Sequence, residues 1–310
     1  MFSCQRANKT KFISKSNGNI NNITVVMEKT YWNGAIGRSI RSEFQKPYEG
    51  LPIDEPIFTL NYLNPKAFSG FARNSRNIIL IKKSDSIDKN VNYIDKFAQP
   101  QIISFFVGKE ESIISNIKDK SEHIRQLFKE NERKEKLKRM GKAFSKEKTL
   151  QERFKIKIKY PNVYKTVKDT SNFIWIEKAI GKGTLNIISY TIPLQHLKKN
   201  YYERIIEIRD SIGKLYIPGR FPGSHMITEK AYTPFFYKTK ILNRETILTK
   251  GTWEVKKDFM AGPFINYCLK DSINQRWLLV EGFAFAPSVR KRDYMFELNT
   301  IIKTLKIEEN

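Results

Sequence analysis

Apolar positions along this chain switch repeatedly between a period of two and a period near 3.6, and the switches divide it into strands and helices. Ile20–Met27 reads as a strand, and Gly34–Phe44 as a helix with Ile36, Ile40 and Phe44 on one side. Pro47, Pro52 and Pro56 then impose an extended loop. Ile57–Tyr62 fits a short strand or a turn of helix, and Asn77–Lys82 and Gln101–Val107 fit buried strands. From Glu110 to about Met140 the spacing is helical, with an apolar stripe of Ile113, Ile114, Ile117, Ile124, Leu127 and Phe128. The stripe fades into Lys129–Lys142, where both signs of charge alternate at short spacing, and this end is expected to be a solvated, ion-paired helix broken near Gly141.

The second half carries strand patterns at Phe154–Lys159, Phe173–Glu177 and Leu185–Ile192. Tyr202, Ile205, Ile208, Ile212 and Leu215 mark a helix stopped by Pro218-Gly219. Strands at Phe235–Ile241 and Thr246–Val255 lead into a hairpin whose two aromatic-rich runs flank the polar turn Lys270–Gln275. The last helix places Tyr294, Leu298, Ile301, Ile302 and Leu305 on one face, with Asp293 at its start as the expected cap.

Strands in series with helices between and after them predict an α+β protein of two domains, with antiparallel sheets covered by amphipathic helices. The expected division is a tail and candidate lipid tether at residues 1–17, an N-terminal α+β domain at 18–142 ending in the long charged helix, and a C-terminal α-β-α sandwich at 143–310. Both halves finish on an amphipathic helix after strands, but no residue-level repeat joins them.

The length, 310 residues with 40% hydrophobic content, is ample for two cores. No apolar run approaches the roughly 20 residues of a membrane-spanning helix. Lysine and arginine exceed aspartate and glutamate by 56 − 32 = 24, an excess that would attract nucleic acid or an anionic membrane. The surplus is mostly lysine scattered over the whole chain rather than an arginine-rich cluster, which argues against nucleic acid as partner. Two cysteines, Cys4 and Cys268, exclude a disulfide framework and a cysteine zinc site. Cys268 sits in an apolar run and reads as a buried thiol. Cys4 follows Met1-Phe-Ser in a polar tail, a position where bacterial lipoprotein signals carry the acylated cysteine. The apolar segment expected before it is absent. Either Met1 is internal to a longer precursor, or Cys4 is a plain tail cysteine.

Catalytic signatures are sparse. Ser211-Ile-Gly-Lys214 has acyl-transferase spacing but falls late in a helix rather than at its start. Gly181-Lys-Gly183 is too short for a phosphate loop and reads as a hairpin turn. His123, His196 and His225 stand alone, so neither a metal site nor any cofactor is expected. Charge does gather beside glycine and aromatic residues in the second half: Arg209, Asp210, Trp253, Glu254, Asp258, Glu281 and Arg292 form a candidate binding groove, with Trp277 and Tyr294 as possible walls. The alternative for these charges is ion pairing and helix capping, and for the aromatics core packing.

Several ordered segments resemble one known family: Tyr31-Trp32-x-Gly34, Gly50-Leu-Pro-x-Asp-Glu-Pro56, Phe68-Ser-Gly-Phe71 with Arg76-Asn77, and Arg209-Asp-Ser-Ile-Gly-Lys-x-Tyr-Ile-Pro-Gly219. Met226-Ile-Thr-Glu229, Gly251-Thr-Trp-Glu254, Asp258-Phe-Met-Ala-Gly-Pro-Phe264 and Lys291-Arg-Asp-Tyr-Met-Phe-Glu-Leu298 belong with them. Together they are similar to domain-of-unknown-function family 4837, envelope lipoproteins of Bacteroidota. The resemblance implies a lipid on Cys4 and transfers no reaction, cofactor or catalytic residue. The second half is also similar in outline to the PsbP/Mog1-like α-β-α sandwich, whose members are mostly binding and assembly modules.

These readings converge on a lipid-anchored envelope protein that binds a small ligand or an envelope partner without catalysis. It would lie on the periplasmic side if a leader precedes Met1 and in the cytoplasm otherwise. The rival class is a hydrolase using Asp258 or Glu281 as acid or base, which requires those carboxylates in one open cleft. A basic nucleic-acid-binding protein is the third class.

Overall fold

The computed structural model describes residues 13–141, 143–197 and 200–308. Cys4 lies outside them. The chain is α+β and divides into two compact units. One holds the residues up to Lys46 together with Ile57–Glu135; the other holds Pro47–Pro56 and everything from Lys136 onward. The proline-rich loop thus belongs to the second unit although it interrupts the first in sequence.

The first unit is built on a five-stranded sheet. In chain order its elements are β1 (Asn22–Val26), α1 (Lys29–Asn33), α2 (Ala35–Phe44), β2 (Thr59–Leu63), β3 (Asn77–Lys83), β4 (Lys89–Ile94) and β5 (Ile102–Gly108), followed by the long helix α3 (Glu110–Met140), which contributes to this unit as far as Glu135. The strand order is β2-β1-β3-β5-β4. Three of the four pairings are parallel, and only the edge strand β4 runs antiparallel. Hydrophobic spacing does not distinguish these arrangements; the return connections do, because α1 and α2 carry the chain from β1 back beside it into β2. Ile36, Ile40 and Phe44 of α2 and Ile113, Ile117, Ile124 and Phe128 of α3 cover one face of the sheet, against Ile23, Val25, Ile79 and Phe106.

The charged end of α3 differs from its expectation. Asn131, Glu132 and Glu135 are buried, not solvated. The Glu132 carboxylate accepts from Arg76 Nε and Nη2 at 2.9 Å each, from the Asn77 side chain and from the Asn21 backbone N–H at 3.0 Å. Helical periodicity reads only local neighbours, whereas the partner that makes this burial tolerable sits 56 positions away.

The second unit is a sandwich around an eight-stranded sheet. Its elements are α4 (Thr149–Phe154), β6 (Lys165–Thr170), β7 (Phe173–Ile180), β8 (Gly183–Pro193), α5 (Tyr201–Tyr216), β9 (Met226–Thr228), β10 (Phe235–Ile241), β11 (Arg244–Val255), β12 (Ala261–Asp271), β13 (Arg276–Phe285) and α6 (Arg292–Ile302). The path is β9-β11-β12-β13-β8-β7-β6, with β10 also on β11, and every pairing is antiparallel. Strand alternation sends Ile265, Tyr267, Leu269, Leu278 and Val280 to one face, where they meet Leu298, Ile301 and Ile302 of α6 together with Leu150 and Phe154 of α4. Phe264, Cys268, Trp277, Leu279 and Phe283 face the other way, toward Ile205 and Ile208 of α5.

Two glycines permit this close layering. A Cβ on Gly282 would lie 2.9 Å from the Leu298 Cβ, and one on Gly213 would lie 2.1 Å from the Met226 carbonyl oxygen. The inward face of α5 is Ile205, Ile208, Arg209 and Gly213, while Tyr202 and Leu215, expected on the apolar stripe, are exposed.

The start of α6 is capped from a distance. Asp293 is exposed and pairs with Arg292. The backbone N–H groups of Lys291 and Arg292 donate instead to Glu55, at 2.6 and 3.1 Å. A carboxylate from the proline-rich loop therefore satisfies the otherwise orphaned donors at the helix N-terminus and meets the positive end of its dipole.

Candidate functional site

A connected polar chain crosses the α5 face of the sheet. Arg209 projects from the middle of α5 and is 1% exposed; Glu281, from the middle of β13, is fully buried. Arg209 Nε donates to both carboxylate oxygens at 3.1 and 3.0 Å, and Nη2 donates to Oε1 at 2.9 Å. Asn266, paired in register with Glu281, donates its amide to Oε2 at 3.0 Å. Arg209 Nη1 donates to Thr228 Oγ1 at 2.9 Å, and that hydroxyl donates in turn to Asp210 Oδ1 at 2.8 Å. The guanidinium carbon lies 3.9 Å from the centroid of the Phe264 ring, which closes the remaining side as a cation–π contact. The Arg209–Glu281 pair is enclosed, with Asp210 partly exposed at the end of the chain and the Asn266 side-chain oxygen buried without a partner.

The remaining residues of the expected groove are not gathered here. Trp253 is 2% exposed and packs edge-on against Phe283 at 5.7 Å, so it is a wall of the core rather than of a pocket. Glu254, its neighbour on β11, points to the opposite face and is half-buried. Asp258 lies in the turn between β11 and β12, where both its oxygens accept from Arg220. The guanidinium beside it, helped by the Phe259 backbone N–H, overrides desolvation and holds the carboxyl below its usual range. Arg292 is on the α6 side, donating to the Pro56 carbonyl at 3.1 Å and pairing with Asp293. One groove lined by all seven residues therefore does not form: strand alternation separates them onto two faces, and ion pairs hold Arg209, Glu281, Asp258 and Arg292.

The hydrolase geometry fails for the same reason. Glu281 is enclosed with Arg209, and Asp258 is spent on Arg220, so no shared open cleft joins the two carboxylates. Ser211 donates its hydroxyl to the Glu207 carbonyl at 2.8 Å, an ordinary bond within the helix. Among the described residues no group of three or more His, Cys, Asp or Glu is placed to hold a metal ion, and no helix is long and apolar enough to cross a membrane.

An open concavity lies at the other end of the hairpin. Leu194, Gln195, Leu197, Tyr201, Lys270 and Trp277 line a cavity of about 460 Å³. Lys270 and Trp277 are cross-strand partners flanking the polar turn. Trp277 is itself only 1% exposed and backs the cavity from the core: its indole N–H donates to the Leu194 carbonyl at 3.3 Å, which fixes the ring, and Tyr201, meeting it edge-on at 6.1 Å, presents the more open aromatic surface. Lys270 Nζ stands 5.9 Å from the Trp277 ring centroid, and its other contact, with Glu245 at 3.4 Å, is solvent-exposed and weak. Among the described residues its lining combines the apolar Leu194 and Leu197 and the ring of Tyr201 with Lys270 as the cation, a mixture of apolar surface and few polar groups of the kind that small-molecule sites use. Trp277 was legible as a possible pocket wall; Tyr201 and Lys270 carried no signal, because they come from separate elements that only folding joins.

The fold and the sealed polar core define a two-domain α+β protein whose second domain is an α-β-α sandwich. The chain belongs to the family described as Domain of unknown function (DUF4837), which matches residues 143–304. A second description, Domain of unknown function (DUF8532), matches residues 16–141. No curated protein sequence matches the chain. Among solved structures, the Ran-binding protein Mog1p of Saccharomyces cerevisiae aligns over 49% of this chain and 90% of its own, at 7% identity and a TM-score of 0.33. The human StAR-related lipid transfer protein 5 aligns over 58% of this chain and 95% of its own, at 10% identity and a TM-score of 0.26. Likenesses of that size carry no functional argument.

Proposed function

We propose that this protein is a non-catalytic binding module of the bacterial cell envelope, tethered through a lipid on Cys4, and that its second domain takes a small ligand in the cavity beside Trp277. One observation carries the binding reading: Glu281 and Asp258, the two carboxylates that could do chemistry, are held in ion pairs, while the open cavity brings Tyr201 and Lys270 together beside Trp277. The tether rests on the tail context Met1-Phe-Ser-Cys4 and on the family resemblance.

Two measurements test the two parts separately. Intact-mass analysis of protein from the membranes of its native host should show diacylglycerol, with or without an amide-linked acyl chain, on Cys4; unmodified protein in the soluble fraction overturns the tether. Native mass spectrometry of the same protein should show a small-molecule adduct that Y201A/K270E loses. An adduct retained by that variant overturns the cavity as its site.

A further inference from the structure

We infer that the second domain carries its own contact for anionic lipid, at the tip formed by the loop between α5 and β9 and the turn between β11 and β12. The two segments are tied together three times. Arg220 pairs with Asp258 through two hydrogen bonds, the Lys256 N–H donates to the His225 carbonyl at 2.9 Å, and β9 pairs with the end of β11. Each partner of the ion pair is followed by an exposed phenylalanine, Phe221 at 56% and Phe259 at 105%. Full exposure of Phe259 means that its ring projects from the turn with nothing of the protein against it.

Apolar rings held outward cost solubility unless something covers them. Their surroundings indicate what does. Lys256 and Lys257, separated from Phe259 by Asp258 alone, are both exposed, and Lys257 adopts φ +67°, in the tight turn from which Phe259 projects. The carboxylate between them and Phe259, Asp258, is paired with Arg220. The tip is thus two protruding aromatics beside three cationic residues, Arg220, Lys256 and Lys257, with Asp258 and, two residues before Lys256, Glu254 as the carboxylates in the same segment. A projecting wedge with a basic base suits an anionic bilayer, whose acyl boundary takes rings of any orientation while its phosphates meet the lysines. A protein partner would have to offer a matching pair of pockets. The contact does not depend on acylation of Cys4.

The test uses the full chain with Cys4→Ser, so that no lipid anchor contributes. Sedimentation with vesicles of equal parts phosphatidylethanolamine and phosphatidylglycerol should recover it at least about tenfold more efficiently than with phosphatidylcholine vesicles, and rising salt should release it. F221S/F259S and K256E/K257E should each lower partitioning about tenfold while leaving the thermal midpoint unchanged, because these side chains make no core contacts. Equal binding to both vesicle types, no binding to either, or variants that bind as well as the parent would overturn the inference. So would loss of a co-purifying protein in the variants with vesicle binding unaffected. Failure of the Cys4→Ser chain to sediment with vesicles, with Cys4 of the native protein acylated, would defeat this contact alone; an unmodified native Cys4 with intact vesicle binding would defeat only the tether.

Discussion

Removing one partner of the Arg209–Glu281 pair should cost far more than removing both. Arg209→Met leaves a buried carboxylate with only the Asn266 amide at hydrogen-bond distance, and Glu281→Leu leaves a buried guanidinium held by Thr228 Oγ1, with Met226 Sδ 3.7 Å from Nη2 and the partly exposed Asp210 carboxylate 3.8 Å from Nη1, beyond hydrogen-bond reach. An uncompensated buried charge costs about 3–5 kcal/mol, so the two single changes should sum to about 6–10 kcal/mol. The double variant removes both charges and leaves the Asn266 amide as the main unsatisfied donor, for about 1–3 kcal/mol. The pair should therefore show a coupling of more than about 3 kcal/mol. Each single change should also lower the thermal midpoint by roughly 6–20 °C, at about 2–4 °C per kcal/mol for a domain of this size. Urea unfolding at neutral pH, followed by tryptophan emission in a Trp32→Phe background, reports the second unit through Trp175, Trp253 and Trp277. Additive single effects, within about 0.5 kcal/mol, would refute the reasoning and mean that water reaches the pair.

Other consequences are simpler to measure. Glu55→Ala should destabilise the second unit by about 1–2 kcal/mol in urea unfolding through loss of the α6 cap, while Asp293→Ala, on an exposed side chain, should change it by less than about 0.5 kcal/mol. Gly213→Ala should cost about 2–3 kcal/mol because its methyl would meet the Met226 carbonyl, whereas Gly181→Ala, in open space, should be close to neutral in the same assay. Burial works to raise the Glu43 carboxyl, but hydrogen bonds from Lys46, Ser121 and Arg125 together outweigh it and bring the pKa from 4.5 to about 2. Because the folded value is depressed, this stabilisation is present above about pH 4.5 and is lost as the pH falls toward 2. Acid unfolding of Glu43→Gln should show a shallower pH dependence of first-unit stability across that window.

Much of the second domain was legible because its elements obey their own period. The hairpin around Lys270–Gln275 and the α6 stripe follow from alternation and from 3.6-residue spacing, with no long-range information needed. The strand Lys89–Ile94 was not legible: it is a polar, half-exposed edge that buries too little to leave a pattern. Charge was the least readable property. Glu132 and Glu281 both look like surface carboxylates by residue type and become buried only because Arg76 and Arg209 arrive from distant elements. A hint existed at Glu281, which occupies an inward position among Trp277, Leu279 and Phe283, and at Asn266, between Phe264 and Cys268. The cavity shows the same limit: its aromatic wall was visible in sequence, its cation was not.

We propose that the acidic cluster serves the fold and that the cavity beside Trp277 serves binding. Mass spectrometry of the small molecules released from three proteins purified from native envelopes tests it most directly: the parent, Y201A/K270E, and R209M/E281L, each first shown to be folded. The same unaltered species should be released from the parent and from R209M/E281L, and it should be absent from Y201A/K270E. Loss from R209M/E281L with retention by Y201A/K270E, or conversion of the species to a product only when Glu281 is present, would contradict it.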